Sequence, residues 1–486
     1  MSAKAARSKR RQVVDPPASG RPPSPWLLPE AVEASAEALI AFHGLFEDCF
    51  SRREQRQWSL FYLCGQLSNL ERKTIEPMVL ALHGADPKAV RAAQRFITEG
   101  QWNAARMRQC QQGLIAAELG EADGVVIADG SGFPKQGEHS VGVAYQYCGH
   151  LGKVANCQQG VFLVYVSSRG YAFLDERLYV PECWFTQAYR ERRKACRLPA
   201  DLPFQTEPEL ALAMLSDLQQ QALVPFRWVT ADETYGKSPG FLDGIAALDK
   251  WYLVEVPQDT RVWLRTPAVE PPGPGLLGRP RTRLRVAHSA PAPREVRELA
   301  QSLPKSQWTR RVIKEGSKGP LVAEFAFLRA TTIRSRLPGP RVWVVFRRSL
   351  GPVPELKVYF SNAPTTCPPS EFIRMSGLRW PVETTLEEGK GEVGLDHFET
   401  RTWPSWHHHM AQTFLAHLFL IRLRRQWQKK PLTHYGASSP AHRSGYRRSS
   451  VSVTQCVEHL ALPPVPQSCR LPLTPQAHPE AASLAL

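Results

Sequence analysis

The sequence of 486 residues has ten cysteines but no Cys-x-x-Cys pair, and no run that approaches the ~20 consecutive apolar residues of a membrane-spanning helix. The first absence argues against a zinc ribbon and against a disulfide scaffold, and fits a reducing compartment. The second excludes a helical membrane protein. The N-terminus is basic but lacks a following apolar core, so it does not read as a signal peptide, and a cytoplasmic location is the expectation. Acidic residues are in short supply: 45 Asp and Glu face 61 Lys and Arg, for a net charge of +16. Such an excess implies a polyanionic partner, of which nucleic acid is the commonest. His407, His408 and His409 are adjacent, so on a helix they diverge and make a poor metal cage. For them and for His150, contact with a DNA backbone or a plain helix surface is expected instead.

What is present divides the chain into six segments. Residues 1–25 are basic and rich in Pro and Ser and read as disordered. Residues 26–120 carry helical apolar spacing in WSLFYLCGQL, TIEPMVLAL and AVRAAQRFITEGQWNAARMRQCQQGLIAAEL, with a turn at His83-Gly84-Ala85-Asp86-Pro87. Arg52, Arg53, Arg56, Arg72, Lys73, Arg91, Arg95, Arg106 and Arg108 interleave with that pattern, as on a solvated face or a DNA-binding one; with this net charge, a DNA-binding helical domain is expected. From Gly124 short β-runs take over: GVVIAD, VGVAYQY (141–147) and GVFLVYVSS (160–168), read as an antiparallel meander. A helix near 208–223 follows, then the strands RWVTAD and WYLVEV, which together indicate a mixed sheet flanked by helices over residues 121–262. Residues 263–365 open with a Pro-rich basic stretch and continue in β-runs. Residues 366–428 return to helix, and 429–486 are low-complexity and read as disordered.

Two β-runs end in a carboxylate. VVIADGSGFPKQG places Asp129 at the close of a strand before a Gly-Ser-Gly turn, and RWVTADETYG does the same with Asp232. Either aspartate alone reads most simply as a cap. At the ends of neighbouring strands the two would repel unless a cation sat between them, and hard oxygen donors favour Mg²⁺ or Mn²⁺. A third acid is available in SGLRWPVETTLEEGK, where Glu383, Glu387 and Lys390 share a helix face and Arg379 lies one turn earlier.

Three blocks in order, ADGSGFPKQGEHSVGVAYQYCGHLGKVANCQQGVFLVYVS, RWVTADETYG and LRWPVETTLEEGKGEVGLDHFETRTW, resemble DDE transposases of bacterial insertion sequences, specifically the IS701 family, related to the IS4 family. The resemblance runs to about residue 425. It implies an RNase H-like catalytic core with an N-terminal helical domain and a β-rich insertion between the second and third acids. It also implies that Asp129, Asp232 and Glu383 are the catalytic, metal-binding triad, with Glu387 as the fallback for Glu383. Two Mg²⁺ or Mn²⁺ ions, cleavage at the element's ends, strand transfer into target DNA and a homodimer on double-stranded DNA follow from the same resemblance. Arg379, Glu383 and Lys390 fall at the spacing of the relatives' Tyr-Arg-Glu-Lys signature, but Ser376 stands at the Tyr position, which puts one phosphate or base contact in doubt. Lys135 and His139 read equally as phosphate contacts or surface residues, and Lys135 is taken as a DNA contact with Arg379 and Lys390. Trp380, Trp403 and Trp406 read as core before base-stacking residues. Two alternatives stay open: an RNase H-like nuclease without strand transfer, and a decayed or domesticated transposase that only binds DNA.

Overall fold

The computed structural model describes residues 29–273, 282–316, 319–378 and 380–429. The two terminal segments read as disordered, part of the Pro-rich stretch and Arg379 lie outside that range. Five helices come first: α1 (Pro29–Gly44), α2 (Arg53–Leu67), α3 (Ile75–Leu82), α4 (Pro87–Thr98) and α5 (Ala104–Leu119). Their starts follow local chemistry. Asp86 caps α4 by accepting from the Lys88 amide, with Pro87 at the first helical position, and Asn103 caps α5 through the Arg106 amide.

These helices wrap α13 (Trp403–Lys429). Ser59, Tyr62 and Gln66 of α2 recur at helical spacing and meet Gln412, His409 and Thr413, the last two pairs at 2.8 and 2.6 Å. The three adjacent histidines therefore point inward, not to solvent or DNA. His407 bonds Glu176, His408 bonds the Ile97 and Trp102 carbonyls, and His409 bonds Tyr62 and the Gly394 and Leu395 carbonyls. Burial outweighs any surface role because each ring finds partners, so desolvation is offset. Two of the basic residues expected on a DNA-binding face are likewise internal. Lys73 donates to the carbonyls of Gln66, Ser68 and Glu392, and Arg108 pairs with Asp175 and Glu176.

Among the described residues the main sheet has ten strands: β1 (Val125–Pro134), β2 (Ala144–Cys148), β3 (Lys153–Ser167), β4 (Gly170–Tyr179), β5 (Trp228–Ala231), β6 (Trp251–Val256), β7 (Thr309–Gly316), β8 (Gly319–Arg334), β9 (Leu337–Ser349) and β10 (Leu356–Ser361). Their order is β7-β8-β9-β10-β6-β5-β1-β3-β2, with β4 also on β3. β1, β5 and β6 run parallel to one another, and the remaining pairings are antiparallel. The expected meander is thus reordered, because β3 is long enough to pair with β1 on one side and with both β2 and β4 on the other. The strands of residues 309–361 continue the central sheet, β10 pairing with β6.

Between strands lie α6 (Arg190–Ala195), α7 (Glu207–Gln221), α8 (Glu233–Gly236), α9 (Pro239–Ala247) and α10 (Val296–Ser302), and α11 (Pro369–Ser376) and α12 (Trp380–Val393) follow β10. Alternation along β1 splits its side chains between the two faces. Val126 and Ala128 pack with Leu210 and Met214 of α7, whereas Ile127 and Phe133 pack with Val382 and Leu386 of α12 and with Trp406 and Phe414 of α13. Trp406 is fully buried, as its core reading required. Among the described residues no helix is long and apolar enough to cross a membrane.

Candidate active site

The parallel ladder between β1 and β5 ends at Ala128 opposite Ala231, so the next residue on each strand is an aspartate. Neighbouring strands lie ~5 Å apart. Asp129 and Asp232 therefore start from adjacent positions, and alternation along β1 turns Asp129 toward the α12 face. Asp129 does not end its strand. β1 continues to Pro134 through antiparallel pairing with β3, and the anticipated Gly-Ser-Gly turn is extended backbone. The glycines admit neighbours instead. A Cβ on Gly130 would lie 2.7 Å from Gln159 Nε2 and 2.9 Å from Glu207 Oε2. Asp232 is the cap of α8, accepting from the Thr234 amide at 2.9 Å, so the capping reading and a functional one coexist. Asp129 Oδ1 accepts from the Gly130 amide at 2.8 Å.

Electrostatics marks this spot as rich in negative charge. Burial, and then the Asp232 charge, push the Glu207 carboxyl up to about 7 against a hydrogen bond from Gln159. Tyr235, one turn past Asp232, is fully buried, and among the described residues its hydroxyl has no hydrogen-bond partner. Burial raises its pKa first, and the carboxylates of Glu207, Asp129 and Asp232 add to the rise. Sequence reading missed Glu207 and Tyr235. The one available signal for the first was the helix start at Thr206, whose capping box with Glu209 seats Glu207 at the head of α7.

Helix α12 carries the other predicted residues. Glu383 is exposed, and its charge acts on Lys314 of β7, whose amine also stands 4.3 Å from the Trp380 ring centre. Trp380 is exposed, unlike Trp406. Glu387 is exposed. Glu388 is structural: it accepts from His417, Arg424 and Tyr171 at 3.1, 2.6 and 3.0 Å. Lys390 reaches β1, its amine 3.4 Å from the Gly132 carbonyl and over the Phe133 ring; burial lowers its pKa. Lys135 turns inward. Its amine donates to the Phe398 carbonyl and lies 3.5 Å from that ring's centre, and burial brings it down to about 8. His139 and His150 are exposed. Ser376, at the position of the relatives' Tyr, is buried and donates to the Ile373 carbonyl. The structure thus sets Asp129 beside Asp232, brings Glu207 close to Gly130 and Asp232, and lays Lys390 of α12 against β1. Among the described residues, no three His, Cys, Asp or Glu side chains are arranged to hold a metal ion.

Residues 45–320 match the family model described as DDE superfamily endonuclease. The chain belongs to that family. It is also 25% identical over 346 residues to a protein of Microchaete diplosiphon named a probable transposase for insertion sequence element IS701; the match covers 70% of this chain and 76% of the relative. The two matches bear out the resemblance to IS701-family DDE transposases. The range matched by the endonuclease family includes Asp129, Glu207 and Asp232 and ends before α12, so Glu383 and Lys390 rest on the sequence block around them.

Proposed function

We propose that this DDE-family protein is a transposase that cuts DNA at insertion-sequence ends and joins the freed end to target DNA, using Asp129, Asp232 and Glu383. The observation that carries the reading is the register of β1 and β5, which sets two aspartates side by side at the ends of a parallel ladder. The sheet order β4-β3-β1-β5-β6, three antiparallel strands followed by two parallel ones, supports an RNase H-like core.

A divalent ion suits the aspartate pair. Both are hard oxygen donors, and the raised Glu207 carboxyl registers the negative charge of Asp232 beside it. Asp129 and Asp232 would hold Mg²⁺ or Mn²⁺, with Glu383 contributing from α12; two ions are expected. Bound there, such ions would activate water and stabilise the attacking and leaving oxygens. The protein's own part is positional. β1 and β5 fix the aspartates, α12 presents Glu383, and Lys390 and Arg379 supply positive charge for the phosphodiester. Lys135 contributes by fixing the Phe398 segment to β1. Hydrolysis at the element's end frees a 3′-hydroxyl, which attacks target DNA. Double-stranded DNA is the substrate, held by a homodimer.

The test uses DNA carrying the sequences that flank the gene, with Mg²⁺ or Mn²⁺. Wild-type protein is expected to yield both cut and joined products. Asp129→Asn, Asp232→Asn and Glu383→Gln should each cut on the order of 10²–10³-fold more slowly, the scale for losing one charge-stabilising group, while still shifting DNA on a gel. Cutting without joined products would leave a nuclease. Undiminished cutting by all three variants would refute the assignment.

A further inference from the structure

The hairpin of β2 and β3 shows an outer face with no use in the site described above. Tyr145 and Tyr147 are 79% and 65% exposed, and Val154 is 64% exposed. Register places them together: Tyr147 pairs with Val154, and Tyr145 with Asn156, so two rings and a valine share one face of the ribbon. The opposite face is pinned. Gln146 donates to the Cys157 carbonyl at 3.0 Å, and buried Cys148 packs on Gly132, where a Cβ would come within 2.7 Å of its sulfur. Gly132 stands three positions beyond Asp129 on β1, ~10 Å along the strand. The tip is closed by the Leu151 amide donating to the Cys148 carbonyl and by Gly152 in the left-handed region at φ 62°.

We infer that this hairpin is a nucleic-acid contact, on which Tyr145 and Tyr147 stack against unpaired bases of the DNA next to the bond placed at Asp129 and Asp232. The inference rests on the DNA-cutting reading above. Charge selects the occupant. No Asp or Glu occurs between Glu138 and Asp175, while His150 and Lys153 are exposed at the tip. An acid-free ribbon that joins aromatic faces to cations matches a sugar–phosphate chain with stacking bases. A second copy of the chain fits less well: two tyrosines and a valine fall short of the ~800 Å² per partner of a stable protein interface. The rings are also preorganised, because the inner face of the same strand is fixed to β1 and β3, so little order is lost on binding.

The experiment measures binding of fluorescein-labelled duplex DNA with a short single-stranded overhang by anisotropy over a salt series, with Y145A/Y147A, Y145F/Y147F and K153A beside wild type. The rings are exposed, so unchanged melting curves establish that the variants fold. The alanine pair is expected to weaken binding about fivefold or more, the lower end for loss of one stacked base. The phenylalanine pair should stay within about twofold of wild type, and K153A should lower the salt slope by about one. Wild-type affinity in the alanine pair would overturn the inference and leave the DNA-cutting reading standing. A drop from dimer to monomer mass at unchanged DNA affinity would also overturn it, assigning the face to a second copy. Failure of wild-type protein to bind any duplex would sink the DNA reading itself, and the hairpin's role with it.

Discussion

His417 Nε2 lies 3.1 Å from Glu388 Oε2, and this contact fastens the helix that carries Glu383 to the long helix α13. Arg424, two turns further along α13, closes on the same carboxylate at 2.6 Å. Burial alone would raise the Glu388 pKa, but His417 and Arg424 hold it down to about 2. Glu388→Gln is therefore expected to destabilise the protein by about 3–5 kcal/mol at pH 7, since it removes the carboxylate charge that His417 and Arg424 share. Urea unfolding measures this.

The same group sets an acid limit. Its folded pKa lies below its unfolded value of 4.5, so the stabilisation is complete above about pH 4.5 and is lost as pH falls toward 2. The amount at stake is about 3 kcal/mol. The stability difference between wild type and Glu388→Gln should shrink over that window.

A second pH dependence comes from the buried imidazoles. Burial lowers His409 to about 3, and His408 and His43 to about 4, from 6.5. The unfolded chain takes up protons first as pH drops, so their share of stability is intact above 6.5 and falls between 6.5 and about 4. Each contributes up to ~1.4 kcal/mol per pH unit. Melting temperature should decline steeply through that range, and less steeply in His408→Gln.

Gly130 provides a steric test of the site. A methyl there would meet Gln159 and Glu207 below 3 Å, whereas a Cβ on Gly137 meets nothing within 4 Å. Gly130→Ala should cost about 1–3 kcal/mol of stability and lower cutting, with Gly137→Ala near neutral in both. Equal behaviour of the two variants would mean that the close approach of Glu207 is unimportant.

The juxtaposition of the two aspartates was legible in part because each directly follows a short, apolar, β-branched run, VVIA and WVTA, and those runs pair as parallel strands. The edge of the first strand was not legible. Asp129-Gly-Ser-Gly looks like a turn, and only the long partner β3 keeps it extended. β4 was hidden by its own charges: Asp175, Glu176 and Arg177 lie mid-strand because Arg108, Asp217 and His407 neutralise them from distant segments. The inward histidines and Lys73 failed for the same reason, since partners remote in sequence decide whether a polar group can be buried. Glu207 carried only the capping box around it, and its place beside Gly130 depends on α7 crossing the sheet.

β10 hydrogen-bonds directly to β6, so the strands after it are built onto the same plate as the aspartates. Such a segment has no hinge through which to swing. A duplex gripped on β7–β9 would meet the acids at a preset angle, and the bending needed to bring its scissile phosphate into line would have to come from the DNA.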